Sequence, residues 1–137
     1  MAFRIRRVEY FTATVRDQPG ESYKLLSQLA DLGLNLVAFT TVPVGPLQAQ
    51  LTIFPEDPLR MADAARKAAL VLDGPHPALL VQGDDELGAL ANIHATISEA
   101  GVNVYASSGV ADGRGSFGYV IYVRPEDYER AATALGV

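Results

Sequence analysis

A chain that repeats its own punctuation has few ways to fold. Shifted by 68 positions, Asp17 falls on Asp85, Gly20 on Gly88, Gly33 on Gly101 and Asn35 on Asn103. At the same shift Leu25, Leu29, Leu34 and Leu36 meet Ile93, Ile97, Val102 and Val104, so the apolar pattern repeats along with the special residues. Farther on the shift becomes 70, where Pro55-Glu56-Asp57 meets Pro125-Glu126-Asp127. The two extra residues fall in the Gly109–Gly115 loop. Self-similarity at a fixed period is the mark of one supersecondary unit used twice, which predicts two modules, residues 1–74 and 75–137.

Within the first copy, Val8–Val15 places Phe11, Ala13 and Val15 on one face and Val8 and Tyr10 on the other, the period of a strand. Asp17 is expected to cap the next helix, with Pro19 and Gly20 in its first turn. Leu25, Leu26, Leu29 and Leu32 form its apolar stripe and Gly33 stops it. Leu34–Val42 reads as a strand, turned by prolines at 43 and 46 into Leu47–Phe54, which alternates apolar and polar residues. Pro55-Glu56-Asp57 caps a second helix that reaches about Ala68. A short fourth strand, Leu70–Leu72, is expected to stop at Asp73-Gly74-Pro75.

The order is βαββαβ, a ferredoxin-like split βαβ. The fold class is α+β: two such modules in tandem, with antiparallel sheets and helices on one face. At the 70 shift Val137 matches Lys67, so the second module lacks a full fourth strand. That strand is expected to be absent or replaced, with a neighbouring sheet edge, such as one from another subunit, to cover the gap.

Charge and composition narrow the function. A net charge of −5 gives duplex nucleic acid little to bind. The basic cluster Arg4, Arg6 and Arg7 reads as a solvated edge that keeps the first strand from pairing with neighbours. With no cysteine, disulfides, thiolate metal sites and a Cys nucleophile are excluded together. Met1–Val8 alternates apolar residues with arginine and lacks a signal-peptide core, and no apolar run nears the roughly 20 residues of a membrane span. A soluble, cytoplasmic protein is expected, with no membrane and no nucleic-acid partner.

Asp-x-Pro-Gly, an amphipathic helix, then Gly-x-Asn and an apolar strand, repeated in register, resembles the ACT domain. The chain is similar to stand-alone tandem ACT proteins, regulatory modules that bind amino acids. The resemblance implies a ligand at an interface between modules, touching the first strand-to-helix loop and the following strand. It marks Asp17, Pro19, Gly20, Glu21, Ser22 and Asn35 in the first copy, and Asp85, Gly88, Ala89 and Asn103 in the second. Leu87 stands where Pro19 does, so the first site is favoured.

The residues support this chemically. Free N–H groups and the positive end of a helix suit a carboxylate, and glycine allows close approach to the backbone. An asparagine opening the next strand, taken to lie near the same end of the sheet, can bind either end of a zwitterion. The competing structural account is plain: glycine is common in turns that bind nothing, and Gly33 and Gly101 are helix stops.

No catalytic set emerges. His76 lies in the linker and His94 on a core position of its helix, which makes a poor metal site. Ser107 and Ser108 lack a neighbouring base, and residues 113–118 form a hairpin tip rather than a phosphate loop. The expectation is a protein that is not an enzyme, needs no cofactor, binds a free amino acid or similar small zwitterion, and acts on a partner enzyme in trans. Strands apolar on both faces, with Val37, Phe39, Val120 and Tyr122 turned from the helices, further predict a homodimer. The alternatives are an acylphosphatase-like enzyme using Arg16 and Asn35, and an assembly module that binds no ligand.

Overall fold

The computed structural model describes residues 3–137. In order they form β1 (Phe3–Arg16), α1 (Glu21–Asp31), β2 (Leu36–Pro43), β3 (Gln48–Pro55), α2 (Pro58–Lys67) and β4 (Asp73–Asp84). Then follow α3 (Ala89–Glu99), β5 (Ala106–Ala111), β6 (Ser116–Tyr122), a 3₁₀ turn (Pro125–Asp127) and α4 (Tyr128–Ala134). The chain divides into two compact units, Glu9–His76 and Pro77–Val137, and the second also takes residues 3–8.

In the first unit β3 lies between β2 and β1, antiparallel to both, with Phe11 opposite Ile53 and Phe39 opposite Ile53 on the other side. The core is built on the alternate residues that face the helices: Phe11, Ala13, Leu51 and Ile53 meet Leu25 and Leu29 of α1 and Met61 of α2. Phe39 packs against this same core, so it does not face away from the helices as expected. The displacement follows from an irregularity in the pairing of β2 between Leu36 and Ala38, which resets the alternation.

Local signals in α2 act as read. Asp57 accepts a hydrogen bond from the Arg60 N–H at 3.1 Å, Pro58 opens the helix, and Arg66 and Lys67 close it. α1 starts differently. Its N-cap is Gly20, without a side-chain cap, while the Asp17 N–H donates to the Leu47 carbonyl at 2.9 Å. Asp17 sits too far back along the turn to cap, because the helix begins only at Glu21.

The fourth strand corrects the sequence reading. Leu70–Leu72 is not a strand; β4 starts at Asp73 and runs straight through Gly74 and Pro75. Gly-Pro reads as a breaker in sequence, yet the glycine is what lets β1 pass. Gly74 has φ 148°, and a Cβ there would sit 2.8 Å from both the Phe11 Cδ2 and the Tyr10 carbonyl oxygen.

The second unit repeats the plan, with β6 between β4 and β5, antiparallel to both. Leu79, Val81, Phe117, Tyr119 and Ile121 meet Ile93 and Ile97 of α3 and Ala131 of α4. Its fourth strand is neither absent nor drawn from another subunit: residues 3–8 of β1 supply it. Phe3 and Ile5 pack on this core, with the Phe3 ring edge-on to Phe117 at 6.0 Å. Arg6 donates to Gln82 of β4 at 3.4 Å.

Arg7 grips Glu129 of α4 with two hydrogen bonds of 2.7 and 3.0 Å, donates to the Val137 carbonyl and lies over the Tyr128 ring. The arginines therefore do not mark an unpaired edge; one of them ties the segment down. The bond from Arg7 holds the Glu129 carboxyl below its usual range, against the opposing effect of desolvation.

The sheet surface away from the helices is less bare than expected. Phe54, Leu80 and Val120 are buried within the chain. In the first unit Tyr10 stacks near both Phe54 and His76, with ring centroids 5.2 Å apart in each case.

Candidate functional site

Each glycine-bearing turn opens a helix. Gly88 is left-handed, with φ 83°, and caps α3 without a side chain. The Ala89 N–H returns to the Glu86 carbonyl and the Asn92 N–H to that of Gly88. The amides of Leu90 and Ala91 therefore lie in the first turn, ahead of the helix's own pairing. In front of them is a cleft of about 670 Å³, walled by residues 85–91, by residues 109–111 of β5 and by Phe117. Nothing lies within 4 Å of where a Gly88 Cβ would stand, so the approach to the backbone is open.

The cleft combines opposite characters. Asp85 and Glu86 bring carboxylates and the α3 amides bring a positive helix end. Leu87 is fully exposed, Leu90 and Val110 are also exposed, and all three offer apolar surface at its walls. Beside it Gly109 leaves room for the Tyr119 ring, which a Cβ would meet at 2.8 Å. The Tyr119 hydroxyl and His94 Nε2 are 2.6 Å apart. His94 is half-buried beside the core, close to its expected place.

The expected residues separate into two groups. Asp85, Gly88 and Ala89 line the cleft together. Asp17, Pro19, Gly20, Glu21 and Ser22 form the equivalent turn and first helical residues of the first unit, where Gly20 caps α1 with φ 88°. There Glu21 borders a smaller hollow of about 220 Å³ together with Lys24 and Gln28. The larger cleft is thus at the second copy, although the sequence favoured the first.

Asn35 and Asn103 do not join the turns of their own units. α1 runs for 11 residues between Gly20 and the start of β2, about 16 Å at 1.5 Å per residue. In a strand–helix–strand crossover the second strand starts at the opposite end of the sheet, so Asn35 is carried away from Gly20 and Asn103 likewise from Gly88. The same geometry parts Arg16 from Asn35, the pair an acylphosphatase-like site would need.

Asn35 instead belongs to a polar groove of about 540 Å³ shared with Gly33, Leu34, Glu56, Asp57, Pro58 and Arg60. Its Nδ2 donates to Glu56 Oε2 at 2.8 Å. Glu56 and Asp57 read in sequence as helix-capping residues, Gly109 and Val110 as part of a hairpin loop and Phe117 as part of its tip, while Arg60 carries no signal of its own; none of them points to a site in the sequence. The recurrence of Pro-Glu-Asp at both 55 and 125 was the available signal.

Neither a protein-family model nor a curated protein matches the chain. Solved structures do. One is a protein from Bacteroides thetaiotaomicron, 17% identical, with a TM-score of 0.78 over 96% of this chain and 88% of that one. Another is the regulatory subunit of aspartate kinase from Thermus thermophilus in its ligand-free form, 15% identical, with a TM-score of 0.63 over 97% and 93%. A third, of aspartokinase alpha and beta subunits, is 18% identical with a TM-score of 0.61 over 98% and 95%. At these identities the likeness speaks to architecture: the chain has an α+β fold of ACT-like, ferredoxin-like tandem modules.

Proposed function

We propose that this protein binds a free amino acid or similar small zwitterion and regulates a separate partner enzyme, without catalysing a reaction itself. The observation that carries the proposal is the cleft at Gly88. Carboxylates of Asp85 and Glu86 suit an ammonium group, unpaired first-turn amides suit a carboxylate, and an apolar wall suits a side chain. Fold likeness to a regulatory subunit of aspartate kinase supports the same reading. Among the described residues no helix is long and apolar enough to cross a membrane, and a cytoplasmic setting belongs to the proposal.

A homodimer belongs to it as well. β5 is exposed at all six residues and carries no charge, so its free edge can pair with a second copy alongside the cleft. Sedimentation equilibrium should give about twice the 14.6 kDa chain mass; a species that stays at 14.6 kDa at micromolar concentration rejects the dimer.

A thermal-shift screen of the common amino acids at millimolar concentration tests the ligand. A selective rise that Gly88→Asn abolishes is the expected result. Asparagine tolerates the left-handed backbone while placing a side chain in the approach. No response to any amino acid overturns the proposal.

A further inference from the structure

We infer that the groove where β2 and α2 begin in the first unit is a second zwitterion site, with Arg60 taking the carboxylate and Glu56 the ammonium group. This rests on the amino-acid reading above for its ligand class, but on different residues. The groove, about 540 Å³, lies in the size range of small-ligand sites. It holds one guanidinium and two carboxylates, Asp57 used as the α2 cap and Glu56 oriented by Asn35.

The repeat shows that this arginine is unspent. Arg130 occupies the same place in the second copy as Arg60 in the first, at the 70 shift. There the guanidinium is used internally, donating to Asp127 at 2.9 Å and to the Gly101 carbonyl at 3.3 Å. In the first unit Asp57 is committed to the Arg60 backbone N–H instead. Arg60 still folds over the helix stop, its Nη2 2.8 Å from where a Gly33 Cβ would lie. Its guanidinium has no hydrogen-bond or ion-pair partner among the described residues.

The carboxylate opposite is prepared in a complementary way. Asn35 donates to one oxygen of Glu56 and so orients the group, leaving the other oxygen to accept. An α-amino acid carries a planar carboxylate, which suits the guanidinium fork, and an ammonium donor next to it. A simple anion would use Arg60 and be repelled by Glu56 and Asp57; a simple cation would meet the reverse. The α2 amino end does not supply the anion site, because Asp57 already caps it.

The test is isothermal titration calorimetry with the common amino acids, followed by the N-acetyl derivative of the best binder. Arg60→Gln and Glu56→Gln change exposed side chains, and native circular dichroism would verify their folds. Each should weaken one binding event by about 10- to 100-fold, while Gly88→Asn leaves that event intact. The N-acetyl derivative, lacking the ammonium, should bind weakly and respond to Arg60→Gln but not to Glu56→Gln. Amino-acid binding that ignores both groove variants and disappears with Gly88→Asn overturns this site and leaves the Gly88 cleft standing. No heat from any amino acid with the unaltered protein overturns both.

Discussion

Replacing Ile5 by Ala should weaken the second unit although Ile5 lies more than seventy residues from most of it. The side chain is half-buried against the core of Leu79, Ile121 and Ala131. The substitution removes three carbons, each worth about 0.8 kcal/mol when buried. Half burial reduces the sum to about 1.2 kcal/mol, and an incompletely closed cavity raises it toward about 2 kcal/mol. For a chain of this length that is a fall of about 4–7 °C in Tm.

Urea unfolding followed by tyrosine fluorescence suits the measurement, since the chain has six tyrosines and no tryptophan. Hydrogen exchange would locate the loss, with faster exchange in Pro77–Val137 than in Glu9–His76. Arg4→Ala provides the control: Arg4 is exposed and on the other face, so its removal should stay within about 0.5 kcal/mol. An Ile5→Ala protein as stable as the parent, or one loosened chiefly in Glu9–His76, would refute the assignment of residues 3–8 to the second unit.

Three other outcomes are expected. Glu129→Gln removes a carboxylate held below its usual range by Arg7; the native stabilisation is present above the ordinary glutamate pKa of about 4.3 and is lost as pH falls through the lower folded value. The urea-midpoint gap between parent and variant should therefore shrink from pH 7 to about pH 3, and an unchanged gap contradicts the ion pair. Gly74→Ala should cost about 2 kcal/mol or more, combining backbone strain with the 2.8 Å approaches to Phe11 and Tyr10; chemical denaturation matching the parent would exclude that crowding. Tyr119→Phe should cost about 0.5–1.5 kcal/mol by breaking the bond to His94, and no measurable loss would show that the pair contributes nothing.

Legibility followed the range of the interaction. Gly33 and Gly101 stop their helices as read: the Leu34 and Val102 N–H groups return to the carbonyls of Leu29 and Ile97. Asp57 caps α2 from three residues away. These contacts span five residues or fewer, so the sequence states them outright. Asp17 failed as a cap because α1 begins only at Glu21, which leaves Asp17 three residues ahead of the Gly20 N-cap, and Gly-Pro at 74 and 75 concealed a strand because its neighbour in space, β1, is remote in sequence.

The doubled pattern, the two helix stops and the α+β class were determined by the sequence alone, because periodicity and capping are local properties of the chain. Tertiary structure decided the rest. It brought residues 3–8 into the second unit, where Arg7 finds Glu129, and it carried Asn35 away from Gly20 to Glu56. It also left Arg60 without the partners that its counterpart Arg130 has. Strand pairing, crossover direction and the fate of a charged side chain depend on groups tens of residues apart, and no local pattern encodes which of them will meet.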